Sequence, residues 1–395
     1  MKMTKLISTG LAMFAMLFGA GNIVFPLALG RDLGSMLWIG LMGFVITAVL
    51  IPLAGLISTM LCDGQYSRLL GRLGEWAGFI VALICMIIIG PFALTPRCIT
   101  ISHAAVKLYL PQFTIFYFSI FCAVIIYLLT RKASSVVDII GKFLAPIKLG
   151  LLLILIVVGL LFPTAFLVTS LSTGQSFLNG LMTGYKTADL LGTIFFSGLI
   201  LSNIKKNSSI QGTMSSKYLA INGLKAGMIG ASLLAIMYVG FCIVAGFHGA
   251  ELASVSDGDI FSILSSIVLG NIGGLFTNIT VAFSCLTTAV ALTTVFAKFL
   301  QNEILSGQLS YKICLLISIA ITATIANLGF DQIMRIAMPF LTALYPGLIV
   351  LTFANIANIL FGFRWIKTPV FITFAITLIL QYWDHLQTFW ATGLL

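Results

Sequence analysis

The chain has 395 residues, of which 60% are hydrophobic and only 8% are Asp, Glu, Lys or Arg. An ordinary soluble domain has about 25% charged residues, so a soluble globular fold is excluded. The 21 basic residues exceed the 11 acidic ones, which gives a formal net charge of +10. Runs such as 151–162 are continuously apolar, whereas the strands of an outer-membrane barrel alternate apolar and polar residues. The composition therefore predicts an all-α integral membrane protein.

Eleven apolar runs, each bounded by charge, are predicted to cross the bilayer, since one helical crossing takes about 20 apolar residues. In chain order these crossings are residues 6–29, 36–61, 76–96, 113–130, 138–162, 188–204, 220–246, 271–299, 312–328, 332–361 and 368–385. The polar connections between them are too short for an independent core. We therefore expect a single transmembrane domain over residues 1–395.

The distribution of the basic residues predicts the orientation. If the N-terminus is cytoplasmic, 16 of the 21 basic residues, with Lys148 counted among them, lie in inner segments. This distribution follows the positive-inside rule, and basic segments at the inner surface also attract anionic lipid. The basic excess is thus explained without nucleic acid as a partner.

The first crossing contains a stretch that weakens a helix. Gly19, Gly21 and Asn22 lie near its middle, and Pro26 follows. Inside a bilayer no water satisfies the freed backbone groups, so a break at that depth is tolerated where it lines a cavity. A close helix contact through small residues is the alternative interpretation.

The sixth crossing has a similar centre, interrupted by Gly192 and Gly198. Crossings one and six are the first members of two five-helix halves, approximately 6–162 and 188–361, with an extra helix at 368–385. An odd number of crossings in each half inverts the second half relative to the first. Interrupted helices at corresponding positions of inverted repeats indicate a transport site near the bilayer midplane.

Such a break suits a zwitterion. The free N–H groups of the outer half of helix one would receive a carboxylate, and carbonyls near Phe18 and Phe195 would receive an ammonium group and a cation. No Asp, Glu, Lys or Arg is predicted at the centre of a crossing, which favours sodium over a proton relay. Ser284, Thr287 and Thr288 share one helix face and offer oxygen ligands. The alternative is that these hydroxyls bond to carbonyls of their own helix.

Five stretches of the chain carry a family resemblance: 18–26, 90–97, 184–189, 285–289 and 343–346. The first reads Phe-Gly-Ala-Gly-Asn-Ile-Val-Phe-Pro and is quite specific. Together they resemble the bacterial branched-chain amino acid:cation symporters, the BrnQ family. The resemblance implies the leucine-transporter-like fold of the APC superfamily, with discontinuous helices 1 and 6. It also implies sodium-coupled uptake of Leu, Ile and Val across the bacterial cytoplasmic membrane.

Carried over by position, the resemblance implies two sets of site residues. Substrate contacts would come from Gly19, Ala20, Gly21, Asn22, Phe196, Ser197 and Gly198. Sodium would be bound by the carbonyls of Ala15, Phe18 and Ser284 and by the hydroxyls of Thr287 and Thr288. Ile88 and Phe92 are further candidates for the pocket wall that faces the substrate side chain.

The chain departs from the family in two respects. Members usually have a twelfth crossing, whereas eleven are predicted here, and His103 lies near where the pattern would continue with Phe and Glu. A carrier of another neutral solute, such as an aromatic amino acid or a nucleobase, is therefore an alternative. A membrane-embedded enzyme is a more remote one, because clustered catalytic residues are missing. We expect no cofactor apart from sodium as the coupling ion, and the oligomeric state stays open.

Overall fold

The computed structural model describes residues 3–131, 135–164, 166–207 and 216–391, and these residues form helices and no strands. The first nine helices are α1 (Met3–Leu17), α2 (Ala20–Leu33), α3 (Leu37–Val45), α4 (Ile51–Met60), α5 (Tyr66–Leu70), α6 (Glu75–Ile87), α7 (Leu94–Lys107), α8 (Ile115–Arg131) and α9 (Ser135–Leu161). The remaining helices are α10 (Thr173–Thr187), α11 (Asp189–Asn207), α12 (Ser216–Phe247), α13 (Gly249–Leu252), α14 (Ile260–Phe299), α15 (Tyr311–Ala326), α16 (Phe330–Phe361) and α17 (Lys367–Ala391).

Several of these helices are suited to a bilayer. Within the described residues, five helical stretches are long and apolar enough to cross it: Ala20–Met60, Glu75–Lys107, Ile221–Phe247, Ile260–Ile304 and Phe330–Phe361. Four shorter helical stretches are also apolar: Met3–Leu17, Ile115–Arg131, Pro146–Leu161 and Tyr311–Ala326. The all-α membrane fold is confirmed, whereas the count of eleven crossings, the single domain and the inverted repeat stay predictions.

The predicted break in the first crossing is present. Helix α1 ends at Leu17, Phe18 and Gly19 lie outside helical structure, and α2 begins at Ala20. The backbone N–H of Gly19 donates to Oδ1 of Asn22 (3.1 Å), which satisfies one group that the break frees. The break therefore has a carbonyl end, where α1 stops, and an amide end, where α2 starts.

The second break lies earlier than predicted. Helix α10 ends at Thr187, Ala188 takes the left-handed conformation (φ 62°), and α11 begins at Asp189. Helix α11 is continuous through Gly192 and Gly198, so a discontinuity centred on those glycines is wrong. A Cβ at Gly192 would lie 3.1 Å from Cδ2 of Leu17, and one at Gly198 would lie 3.2 Å from the Gly64 carbonyl. These glycines give close packing rather than a break.

The third crossing is also irregular. Gly90 has non-helical backbone angles (φ −82°, ψ −122°) in a short π-helical segment, Ile88–Phe92, between α6 and α7. A Cβ at Gly90 would lie 2.6 Å from the ring of Phe296, so the kink brings α7 close to α14. The prediction ended this crossing at residue 96, but the helix continues to Lys107.

Small residues let the helices around the break approach closely. Helix α2 packs on α12, α7 packs on α14, and α3 packs on α10. A Cβ at Gly30 would lie 2.1 Å from the carbonyl oxygen of Cys242, so the backbones of α2 and α12 are in contact there. Contacts of this kind are typical of membrane helices, where close van der Waals packing drives association. They hold both breaks inside the helical bundle.

Candidate functional site

The two breaks border one cavity with an empty volume of about 360 Å³. Its walls come from both breaks and from two neighbouring helices, α7 and α14. The lining residues are Met16, Leu17, Gly19, Ala20, Asn22, Leu94, Arg97, Cys98, Thr187, Ala188, Asp189, Gly192, Phe196, Thr288 and Leu292.

A buried carboxylate lies at the amide end of the first break. The Asn22 side-chain amide donates to both oxygens of Asp189 (2.7 and 2.9 Å) and also contacts the Tyr238 hydroxyl. The Tyr238 hydroxyl donates to Oδ2 of Asp189 (2.5 Å). Asp189 is 3% exposed, so it relies on these neutral donors and on the positive end of α2. Asn22 thereby links the two breaks directly.

A buried guanidinium group faces the same cavity. Arg97, also 3% exposed, donates from Nη1 to the Lys186 carbonyl (2.7 Å) and from Nη2 to the Thr187 carbonyl (3.1 Å). Its Nε is buried and has no hydrogen-bond partner among the described residues. A Cβ at Gly21 would lie 2.5 Å from Nη2, so Gly21 provides the space that Arg97 occupies. The cavity therefore presents a cation and an anion to a ligand.

The remaining walls are largely apolar. Leu17 comes from the end of α1, Leu94 from α7, Phe196 from α11 and Leu292 from α14. Apolar walls with a few convergent polar groups are typical of small-molecule sites. This combination fits a ligand with a charged or dipolar head and an aliphatic tail.

The carbonyl end of the break is contacted by a lysine. The ammonium group of Lys148 donates to the Phe18 carbonyl (3.0 Å) and to the Ser284 hydroxyl (2.9 Å). Its Nζ also lies 4.9 Å from the ring centroid of Phe18 and 5.8 Å from that of Phe14. Lys148 is 3% exposed and stands at the midpoint of α9. The prediction that no crossing carries a charge at its centre, with Lys148 in an inner segment, is wrong.

The structure brings most of the predicted sodium ligands together. Phe18 and Ser284 share the Lys148 contact, and a Cβ at Gly19 would lie 3.2 Å from the Thr288 methyl group. The hydroxyls of Thr287 and Thr288 donate to the Ser284 carbonyl (2.8 and 3.1 Å), as in the alternative interpretation of these residues. Ala15 lies in the last turn of α1. Their role as sodium ligands stays a prediction.

The predicted substrate residues divide into two groups. Gly19, Ala20, Asn22 and Phe196 line the cavity. The remaining five, which do not line it, are Gly21, Ser197, Gly198, Ile88 and Phe92.

Each of these five contacts another part of the bundle. Gly21 packs behind Arg97. The Ser197 hydroxyl donates to the carbonyls of Ile194 (2.8 Å) and Gly64 (3.2 Å), next to Gly198. Ile88 is buried before the kink, and the Phe92 ring packs edge-on against Phe340. The second break lies at Ala188 and the third crossing is kinked at Gly90, and residues on other turns line the cavity instead.

Four charged or polar residues of the site were missed from the sequence: Arg97, Lys148, Asp189 and Tyr238. Arg97 follows the predicted end of the third crossing at residue 96, and Asp189 lies at the predicted start of the sixth, although each closes a family-like stretch, 90–97 and 184–189. Their position at the end of a family-like stretch is the sequence signal that could have identified both residues as part of the site. Lys148 lies thirteen residues from either end of α9, so centring the fifth crossing would have revealed it.

Solved structures of membrane transporters share this fold. An inward-facing structure of Mhp1 matches with a TM-score of 0.63 at 11% identity, covering 98% of this chain and 91% of that one. A mutant of the manganese transporter of Eremococcus coleocola matches with a TM-score of 0.62 at 16% identity, covering 95% and 85%. At such low identity the likeness concerns the fold alone. The chain thus has the leucine-transporter-like fold that the resemblance implied.

Sequence comparison gives the family. A family model described as branched-chain amino acid transport protein matches residues 2–391. The branched-chain amino acid permease BrnQ of Bacillus subtilis is 32% identical over 367 residues, covering 89% of this chain and 81% of that protein. BrnQ of Escherichia coli K12 is 31% identical over 364 residues, covering 89% and 80%. The chain belongs to this family of branched-chain amino acid transport proteins. It is therefore a multi-pass membrane transporter and not an enzyme.

Proposed function

We propose that the protein carries the branched-chain amino acids Leu, Ile and Val into the cell across the bacterial cytoplasmic membrane, with its N-terminus in the cytoplasm. The relatives named as branched-chain amino acid permeases support this substrate class. The basic residues of the predicted inner segments support the orientation.

The observation that carries the proposal is the cavity between the two breaks. It combines Arg97, Asp189 and the N-terminal end of α2 with apolar walls. An α-amino acid has the matching pattern, since its carboxylate and ammonium group lie on one carbon and its side chain projects away. Arg97 and the amide end would bind the carboxylate, and Asp189 would bind the ammonium group.

The aliphatic side chain would then face Leu94, Phe196 and Leu292. Burial of apolar surface contributes about 25 cal/mol per Å², so a branched aliphatic side chain gains more here than Ala or Gly would. A polar side chain would lose its hydrogen bonds with water on entering these walls. The walls thus favour aliphatic amino acids over polar ones.

Alternating access follows from the position of the cavity. The site lies on two discontinuous helices, and the two breaks are joined by the Asn22–Asp189 contact. Rocking of these helices against α7 and α14 would expose the cavity to each side in turn. Sodium coupling stays a prediction from the sequence; Lys148 bonds to the Phe18 carbonyl, one of the predicted sodium ligands.

The proposal is tested by uptake of labelled leucine into liposomes that contain the purified protein. Unlabelled Ile and Val should compete with leucine, whereas Phe, Tyr, uracil and hydantoin should compete much less. Stronger competition by an aromatic amino acid or a nucleobase would replace the proposed substrate with one of the alternative neutral solutes. Protein-free liposomes supply the background.

A binding measurement separates recognition from movement. Leucine should bind to detergent-solubilised protein, and leucinol and isovaleric acid should bind much more weakly, since each lacks one of the two charges. Equal binding of leucinol would argue against a carboxylate site at Arg97. Equal binding of isovaleric acid would argue against an ammonium site at Asp189.

A further inference from the structure

We propose that a basic patch at one end of the helical bundle binds the phosphate group of an anionic phospholipid, and that the bound lipid slows the transport cycle. The patch consists of residues 71–76, which lead into the first turn of α6, and residues 358–367, which connect the end of α16 to the start of α17. The lipid site stands by itself, and only its effect on transport rests on the proposed amino acid uptake.

The two segments of the patch lie against each other. Nη1 of Arg72 donates to the side-chain oxygen of Asn358, and Nδ2 of Asn358 donates to the Phe363 carbonyl (2.7 Å). A Cβ at Gly74 would lie 3.7 Å from Nζ of Lys367. Basic side chains from distant parts of the chain are thus brought together at one place.

The patch carries a positive charge that acidic side chains do not occupy. Its charged residues are Arg72, Glu75, Arg364 and Lys367, three basic and one acidic, so its formal charge is +2. None of the four takes part in an ion pair with another described residue. Glu75, Arg364 and Lys367 are exposed. An anion from outside the chain therefore meets accessible and unpaired cations.

Two helix ends add to the positive potential of the patch. Helix α6 begins at Glu75 and α17 begins at Lys367, so both N-terminal ends belong to it. Gly74, which precedes α6, supplies no side-chain cap. The N-terminal end of a helix carries a partial positive charge and commonly binds phosphate. Glu75 offsets part of this charge at α6, whereas Lys367 adds to it at α17.

Exposed aromatic side chains indicate that the phosphate belongs to a lipid. Trp76 is 80% exposed, Phe361 is 84% exposed and Trp365 is 70% exposed. Trp at the ends of membrane helices is typical of the interface with water, where its ring lies at the level of the headgroups. Leu360 is exposed as well, so the patch continues onto an apolar surface of α16. A phospholipid would place acyl chains beside these side chains, whereas a free phosphate would gain nothing from them.

The proposed orientation places the patch on the cytoplasmic side. The predicted crossings three and eleven begin at the patch, and crossing ten ends there. Anionic lipids give the cytoplasmic leaflet a negative surface potential, which attracts Lys and Arg near the membrane. A lipid bound at the patch would therefore hold the ends of three crossings relative to one another.

The loop that precedes the patch connects it to the cavity. The Ser197 hydroxyl of α11 donates to the Gly64 carbonyl (3.2 Å), and the ring centroid of Tyr66 lies 4.7 Å from that of Phe195. Phe196, next to Phe195, lines the cavity. Helix α5, which begins at Tyr66, packs on α6. When a lipid fixes the start of α6, α11 must break these contacts in order to move, instead of carrying the loop with it.

Native mass spectrometry of the purified protein, titrated with phosphatidylglycerol or with phosphatidylcholine, measures lipid binding directly. Phosphatidylglycerol should bind more tightly. The double variant Arg364→Gln with Lys367→Gln should weaken its binding about 25-fold, about fivefold for each charge removed. Lys298→Gln with Lys312→Gln removes two other exposed basic residues of the predicted inner segments and should bind like the wild type.

A charge-conserving variant separates charge from local structure. Arg364→Lys with Lys367→Arg keeps both positive charges, so it should bind phosphatidylglycerol like the wild type. A loss of binding in this variant as well would contradict recognition by charge. Unchanged binding in the variant that removes both charges would overturn the site, and equal weakening in the control would show only a general attraction to the basic surface.

The same titrations distinguish a lipid from other occupants of the patch. Glycerol 3-phosphate should compete weakly, because it lacks acyl chains. Competition as strong as that of the lipid would assign the patch to a free phosphate compound and overturn the proposal. The spectra also count protein copies, and a dimer that dissociates only when the two charges are removed would assign the patch to a second copy of the chain.

The effect on transport is measured as labelled leucine uptake into liposomes of phosphatidylcholine, with and without phosphatidylglycerol. The maximal rate of the wild type should be several-fold lower with the anionic lipid, at an unchanged dissociation constant for leucine, because the patch lies outside the cavity. The variant that lacks both charges should have the same rate in both membranes. A wild-type rate that ignores the lipid, or a variant that responds like the wild type, would contradict the effect on the cycle.

The two proposals fail in different ways. If leucine is neither bound nor carried, the proposed function fails, and the measurements of lipid binding still decide whether the patch is a lipid site. If leucine is carried at a rate that ignores phosphatidylglycerol, the effect of the lipid on transport fails, and the proposed amino acid uptake is unaffected.

Discussion

The carbonyl end and the amide end of the break in the first crossing both carry buried charge, but they differ in the room that they leave for a ligand. At the carbonyl end, Lys148 lies directly on the Phe18 carbonyl and the Ser284 hydroxyl. At the amide end, Arg97 and Asp189 border a cavity. Lys148 places a positive charge at the carbonyl end of α1, and Asp189 places a negative charge near the amide end of α2. Each charge is opposite in sign to the dipole of the helix end that it faces.

The comparison shows how one interrupted helix can have two roles. At the amide end, charged groups line a cavity between the two breaks. The carbonyl end holds a cation that is part of the chain and cannot leave. The cavity that we propose for the substrate lies at the amide end, and Lys148 fills the place where an external ion was predicted.

The largest effect is expected at the amide end, from Asp189→Asn. This change keeps the shape and removes the negative charge that would bind the substrate ammonium group. A hydrogen bond to a charged group contributes about 1.5–3 kcal/mol, so kcat/KM for leucine should fall by about 10- to 150-fold.

Asp63→Asn is the matched control, because Asp63 forms an exposed ion pair with Arg68. Exposed pairs contribute little, so this variant should transport leucine normally. The two variants are compared by initial rates of labelled leucine uptake at equal protein abundance. A wild-type rate in Asp189→Asn would remove Asp189 from the site.

A smaller effect is expected from Gly21→Ala, which tests whether Arg97 must stay where it is. The new methyl group would lie 2.5 Å from Nη2, so the guanidinium group must shift away from the Thr187 carbonyl. Overpacking of this kind costs about 1–3 kcal/mol, and leucine affinity should fall by about tenfold.

Gly150→Ala on α9 supplies the control, because a Cβ there meets nothing within 4 Å among the described residues. Its leucine affinity should equal that of the wild type. Both dissociation constants are measured by direct binding of labelled leucine. Equal affinities for the two variants would show that the position of Arg97 does not matter for binding.

The smallest effect is expected at the carbonyl end, from Thr288→Val. The Thr288 hydroxyl donates to the Ser284 carbonyl of its own helix (3.1 Å), and such back-bonding adds little to stability. Leucine uptake should therefore change by less than about twofold.

Thr280→Val, on the same helix and with the same kind of bond to the Phe276 carbonyl (2.9 Å), is the control. A strong loss of uptake confined to Thr288→Val, and reversed by high sodium, would restore the sodium site predicted from the sequence.

Much of the fold was predictable because membrane helices obey simple rules of length and apolarity. The break at Phe18 and Gly19 was found because two glycines and an asparagine stand together within an apolar run. The second break was misplaced because Ala188, which takes the left-handed conformation, gives no composition signal. Gly192 and Gly198, which do give one, serve close packing inside a continuous helix.

The candidate site was predicted only in part, and the errors have one cause. Charged residues were assumed to lie at the ends of crossings, so Arg97, Asp189 and Lys148 were excluded from the interior. Their burial depends on partners far away in sequence, such as Tyr238 for Asp189 and Phe18 for Lys148. A single sequence shows no pairing of this kind, and the kink at Gly90 shifted the lining residues further.

The attachment of the Lys148 amine to α9 has a consequence for how the protein meets its environment. The occupancy of a site by a dissolved ion depends on the concentration of that ion. A charged group on the same chain has a high and constant effective concentration at its site. The presence of a positive charge at the break in α1 therefore does not depend on the external salt concentration. Dilution of external salt should therefore leave the contacts of Lys148 with Phe18 and Ser284 unchanged.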